Sequence, residues 1–240
     1  MMLAVLPLLA LPVLAIVVAV AWFAYKWLKT DPHRDMVILM GPKSQGKSEL
    51  KSALMKQGFK EMRPGTGVAV LKSKYTVDED DVGCKKIVTF DSGGEGSNIR
   101  DYVNKVVDYI DEKRPEYLLV VLVIQRLYLQ KDIIDVSDLL GEYLDYIVKG
   151  FDQSTCENVK KRYRDGFWAY AIATTHCDKL TCDESQNLSQ IEARVEKRYS
   201  GRLRRMDGKK KEGVFELSKT QSRNRAISWV VGILKDMHEE

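Results

Sequence analysis

The chain is poor in cysteine, histidine and proline, with four, three and six of them among 240 residues. Cys84, Cys156, Cys177 and Cys182 form no C-x-x-C pair, which excludes a small disulfide-framed domain and leaves reduced thiols as the simplest state. His176, Cys177 and Cys182 are near one another but lack zinc spacing, so a structural metal centre is not indicated. An excess of one charge is also missing. Thirty-eight basic residues face 34 acidic ones, for a net charge of +4. That imbalance does not argue for nucleic acid and gives only slight support to an anionic membrane surface or acidic partner. No internal repeat or long low-complexity segment is present.

Charge is absent altogether from Met1 to Tyr25. The run LAVLPLLALPVLAIVVAVAWFAY is longer than the roughly 20 residues that cross a hydrocarbon core, and a helix satisfies its backbone there. Trp22, Tyr25 and Trp27 cluster at one end, with Lys26, Lys29 and Arg34 just beyond. The sequence therefore predicts a transmembrane anchor over 1–25, a linker over 26–35 and a following domain over 36–240 on the cytosolic side. Pro7 and Pro12 are placed to kink the helix. A cleaved signal peptide is the alternative, opposed by the length of the run and the lack of a basic n-region.

Short, wholly apolar runs alternate with amphipathic ones through the remaining 205 or so residues, enough for one α/β domain. Strands are expected at Met36–Met40, Val68–Thr76, Lys85–Phe90, Tyr117–Ile124, Phe167–Thr174 and Val214–Leu217. Helices are expected at Ser48–Gln57, Ile99–Glu112, Val136–Val148 (ended by Gly150), Leu188–Tyr199 and Asn224–Met237. This order predicts a mostly parallel six-stranded sheet with helices on both faces, whose ligands bind beyond the carboxyl ends of the strands.

Gly41-Pro42-Lys43-Ser44-Gln45-Gly46-Lys47-Ser48 fits G-x-x-x-x-G-K-[ST] between a strand and a helix, the context this motif requires. Backbone N–H groups at a helix N-terminus cradle anionic phosphates. Gly46 allows close approach, Lys47 reaches the β- and γ-phosphates, and the Ser48 hydroxyl serves Mg²⁺. The expected ligand is a nucleoside triphosphate in a P-loop NTPase fold. Lys43 either adds charge to the phosphates or faces solvent.

Further elements follow in order: Thr66 in RPGTG, 18 residues after Ser48; Asp91-Ser92-Gly93-Gly94 after KKIVTF; Thr175-His176-Cys177-Asp178 after WAYAIAT; and Glu216-Leu217-Ser218-Lys219 after the last strand. With the phosphate loop, these resemble the Ras-like small GTPases over Met36 to Met237, and Gly93-Gly94 is most similar to the Arf-like branch. The resemblance implies GTP or GDP as ligand and Mg²⁺ held by Ser48, Thr66 and, through water, Asp91. It implies that Thr66 and the Gly94 N–H contact the γ-phosphate, so that its loss releases two switch loops. It assigns guanine to Thr175, His176, Asp178, Ser218 and Lys219. Asp178 would accept from guanine N1–H and the 2-amino group, a donor pair adenine lacks. His176 stands in place of the family's lysine, and Lys219 in place of its alanine.

The layout, with a membrane helix leading into the domain, is similar to that of the β subunit of signal-recognition-particle receptors. It implies a cytosolic protein partner at the switch loops, a role in protein targeting, and an endoplasmic reticulum membrane. Glu95 occupies the place of the family's water-orienting glutamine, and its charge opposes the γ-phosphate, which implies slow unaided hydrolysis. Glu95 and Thr66 are the catalytic candidates. Two alternatives stay open: a P-loop ATPase or kinase, and a scaffold with little or no hydrolysis. Arg202–Arg205 and Lys209–Lys211 read as a solvated basic loop, and Lys160–Arg164 as an exposed helix face. Trp168, Tyr170 and Trp229 read as core.

Overall fold

The computed structural model describes residues 35–54, 73–75, 87–91, six positions between 103 and 110, 117–153, 168–199, 203–206 and 213–239. The chain divides into two units, Met1–Pro32 and His33–Glu240, and every described residue lies in the second. The expected anchor over 1–25 and the linker up to Arg34 fall outside the described residues. Among those described, no helix is long and apolar enough to cross a membrane.

The elements run β1 (Asp35–Met40), α1 (Lys47–Leu54), β2 (Ser73–Tyr75), β3 (Ile87–Asp91), β4 (Tyr117–Gln125), a 3-10 turn (Arg126–Gln130), α2 (Ile133–Gln153), β5 (Trp168–Thr175), α3 (Cys182–Tyr199), β6 (Arg204–Arg205), β7 (Val214–Phe215) and α4 (Thr220–Glu239). The described positions between 103 and 110 are helical as well. The sheet order is β2-β3-β1-β4-β5-β6, with β7 also on β5. All pairings are parallel except β2 with β3.

Side-chain alternation along the buried strands sorts residues onto two faces. Met36, Ile38 and Met40 of β1, Leu118, Val120, Leu122 and Ile124 of β4, and Trp168, Tyr170 and Ile172 of β5 join one core with α2, α3 and the helical residues Val103, Val106, Val107 and Ile110. Val37 and Leu39, Leu119, Val121 and Val123, and Ala169, Ala171 and Ala173 join the other with α1 and α4. The alanines of β5 lie in the cluster that takes the bulky Trp229 of α4, so small and large side chains share that layer. Trp168, Tyr170 and Trp229 are thus core residues, as expected.

Six strands were expected and seven are described. The added one arises because the outermost position beside β5 is broken. Ala169 pairs with Arg204 but Thr174 pairs with Val214, so the register slips by five residues between β6 and β7. Two-residue strands leave no apolar run to read. Part of the basic loop is therefore sheet edge, and Arg205 is mostly buried, ion-paired to Glu192 and Glu196 of α3. Lys209–Lys211 and Lys160–Arg164 lie outside the described residues.

Several helix limits also differ: α2 starts at Ile133 rather than Val136, α4 runs from Thr220 to Glu239 rather than from Asn224 to Met237, and two further differences have a local cause. Gly150 does not end α2, which runs on to Gln153. A β-carbon there would stand 2.5 Å from Val103 Cγ1, so Gly150 serves a close helix crossing rather than a stop. α3 begins at Cys182, before the expected Leu188, because Thr181 and Glu184 form a capping box: Glu184 N–H donates to Thr181 Oγ1 (3.3 Å) and Thr181 N–H to Glu184 Oε2 (2.9 Å).

Candidate nucleotide site

The parallel strands bring four segments to one end of the sheet: the loop after β1, Asp91 closing β3, Gln125 closing β4, and Thr175–Asp178 after β5. The loop after β1 turns sharply. Gly41 has φ 141° and Gly46 has φ 81°, and Ser44, a residue with a side chain, has φ 61°. A β-carbon on Gly41 would collide with the Val123 carbonyl oxygen, and one on Gly46 would sit 3.2 Å from Thr175 Oγ1. Both positions therefore need glycine.

Six consecutive carbonyls of this loop each receive a donor. Lys47 Nζ donates to Gly41 O (3.0 Å) and Pro42 O (2.6 Å), and Gln45 Nε2 to Lys43 O (3.0 Å); Gln125 Nε2 donates to Ser44 O, Thr175 Oγ1 to Gln45 O (2.8 Å), and Leu50 N to Gly46 O (2.9 Å). These bonds commit the loop's carbonyls to protein donors, which an anion-binding nest requires of its acceptors. Lys47 is buried, its ammonium held on the loop's first carbonyls, and it opens α1, whose N-terminus adds its dipole. Lys43 is exposed, and Ser48 lies in the first turn of α1.

At the far side, Thr175 ends β5 and links it to the phosphate loop. His176 is exposed at φ 62°, a left-handed turn after the strand. Cys177 is buried, which pushes its thiol up to about 11. Asp178 is about one-third exposed and paired with Lys219 at Oδ2, with Arg225 at 3.5 Å from Oδ1. The Lys219 hydrogen bond, then the Lys219 and Arg225 charges, hold its carboxyl below the usual range. Lys219, from the turn after β7, is thus brought to Asp178. Ser218 is exposed and donates to Glu216 Oε1 (2.8 Å). Arg223, nearly buried in α4, reaches Ser52 Oγ of α1 (3.3 Å) and the Leu217 carbonyl (3.4 Å), joining the two ends of the site; burial lowers its pKa.

Residues that the sequence did not single out lie between these ends. Gln125 N–H donates to Gln45 Oε1 (2.7 Å). Next along the chain, Arg126 Nε (2.7 Å) and Gln130 Nε2 (3.2 Å) both reach Glu184 Oε1. Asn187 Nδ2 donates to Leu129 O (2.9 Å). The readable signals were T-x-x-E at Thr181–Glu184 and a polar residue directly after YLLVVLVI.

Thr66, Gly94 and Glu95 lie outside the described residues. Asp91 is placed by its backbone alone, beside Leu39 at the end of β1. No group of three or more His, Cys, Asp or Glu residues able to hold a metal occurs among the described residues, and His176, Cys177 and Cys182 do not come together as one.

No protein-family model matches the sequence, and no curated protein matches it. Solved structures do match. A chain of the mammalian SRP receptor superposes with a TM-score of 0.51 at 13% identity, over 82% of this chain and 99% of that one. The Arl6 BBS3 small GTPase from Trypanosoma brucei, solved with a bound nucleotide analogue, gives 0.50 at 12% identity, over 85% and 97%. The chain has a small-GTPase fold. In this chain the loop after β1 and Thr175–Asp178 lie at the same end of the sheet, joined by the bond from Thr175 Oγ1 to the Gln45 carbonyl, and the seventh strand is a break in the sheet's outer edge.

Proposed function

We propose that the chain is a guanine-nucleotide-binding switch, tethered to a membrane by residues 1–25 with its domain on the cytosolic side. The observation that carries the reading is the phosphate loop, whose carbonyls are all engaged from Gly41 to Gly46 while Lys47 sits buried at its centre. Asp178 beyond β5 supplies the carboxylate that favours guanine over adenine. Mg²⁺ suits hard oxygen donors: the Ser48 hydroxyl and, through water, Asp91 would hold it, and it would supply positive charge to the phosphates. Glu95 in place of glutamine supports slow hydrolysis, and the Thr66 and Asp91–Glu95 loops would recruit a cytosolic partner, as in targeting of proteins to the endoplasmic reticulum.

A scaffold that holds nucleotide without cycling is the second reading. The engagement of Asp178 by Lys219 and Arg225 favours it, since both cations must be accommodated as a base docks. The test is competition for fluorescent GDP on the full-length chain in mild detergent with Mg²⁺. Displacement by GTP and GDP but not ATP supports the guanine reading, and displacement by ATP overturns it. Single-turnover GTP hydrolysis then separates the two: a slow measurable rate supports the switch, none the scaffold, and a fast unaided rate contradicts the role given to Glu95.

A further inference from the structure

Building on the guanine-nucleotide reading, we propose that Gln125 is a positioning residue that locks the phosphate loop in its binding shape and couples it to the base-reading end of the site. Ser44 is held in the left-handed region, which costs a residue with a β-carbon roughly 1–2 kcal/mol. Such a conformation persists only where its surroundings hold it. Here the Ser44 carbonyl accepts from the Gln125 carboxamide. The next residue, Gln45, is buried and closes a ring with the same partner: its Oε1 accepts from the Gln125 N–H, and its Nε2 donates back to Lys43 O. Gln125 thus engages the two loop residues immediately before Gly46. Without it, the peptide between Ser44 and Gln45 has no side-chain donor fixing its plane, and its N–H is free to swing out of the array.

The same segment is anchored at its other end. Arg126 and Gln130 grip the buried Glu184, Asn187 holds the Leu129 carbonyl, and Glu184 caps the helix that follows Asp178. Residues 125–130 therefore form a strap from the phosphate loop to the helix behind the base-reading loop. A phosphate-gripping array and a base-reading carboxylate must keep a fixed spacing to hold one nucleotide, and this strap spans it.

The test uses the full-length chain in mild detergent and compares affinities for GDP and GMP by competition. Gln125→Glu keeps the side-chain size but sets an acceptor against the Ser44 carbonyl. Gln125→Ala removes the donor without adding charge and keeps the N–H bond to Gln45, so it serves if the first variant does not fold. A nucleotide-free melting curve checks folding. GDP affinity is expected to fall about threefold to tenfold, the worth of one hydrogen bond, while GMP, which has no β-phosphate for the loop to grip, stays within about twofold. Equal weakening of GDP and GMP, or no change in either, overturns the proposal. Failure of the wild-type chain to bind GDP overturns the guanine reading, and the positioning role with it.

Discussion

Replacing Glu184 with glutamine removes one charge from the joint between the 3-10 turn and α3 while keeping its shape. Glu184 is 5% exposed and accepts from Arg126, Gln130 and the Thr181 N–H. The Arg126 hydrogen bond first, then that of Thr181, hold its carboxyl at about 2 against an ordinary 4.5. At roughly 1.4 kcal/mol per pH unit, that difference corresponds to about 3 kcal/mol in full. Arg126 is 39% exposed, so solvent screens the pair and about half, near 1.5–2 kcal/mol, is the realistic share. A domain of this size melts about 2–4 °C lower per kcal/mol lost, so Glu184→Gln is expected to lower Tm by about 5 °C at pH 7. The pH dependence supplies a second signature. A carboxyl whose folded pKa is depressed stabilises fully above 4.5, and that contribution fades as pH falls towards 2. The gap between wild type and variant should therefore be constant from pH 7 to about 5 and narrow by pH 3. Equal melting temperatures at pH 7, or a gap that does not narrow in acid, would refute the reasoning.

Further predictions concern packing and reactivity. Gly150→Ala should destabilise by about 1–3 kcal/mol in denaturant titration, because the new methyl meets Val103 of the crossing helix. His238→Ala should cost about 1–3 kcal/mol in the same assay: His238 Nε2 lies 2.7 Å from Oδ1 of the fully buried Asp35, and its ring stacks on Tyr117 at 4.2 Å, tying the end of α4 to the start of β1. The buried Cys177, with its thiol pushed up to about 11, should resist alkylation at pH 8 under native conditions, while the exposed Cys182 is labelled. Peptide-resolved mass spectrometry reads both sites.

Much of the architecture was legible because its signals are local. Continuous apolar runs such as MVILM and YLLVVLVI can be satisfied only between two covered faces, and the glycines and lysine of the phosphate loop have fixed spacing. Gly150 was misread because a glycine that permits close packing looks, in sequence, like one that ends a helix. β6 escaped because Arg204 and Arg205 join the sheet only through the neighbouring β5, and no apolar pattern marks them. The contacts of Gln125 with Ser44 and Gln45 span some 80 positions, a pairing that periodicity cannot report. The Asp178–Lys219 ion pair is another such case: each residue was singled out separately, and only the parallel placement of β5 and β7 brings their following turns together.

The most direct measurement is titration of fluorescent GDP into the full-length chain with Mg²⁺, beside its Asp178→Ala variant. Saturable binding by wild type that weakens about a hundredfold in the variant is the expected result, the loss of two charge-assisted hydrogen bonds to the base. Equal binding by the two proteins would show that Asp178 does not read guanine and would contradict the account at its centre.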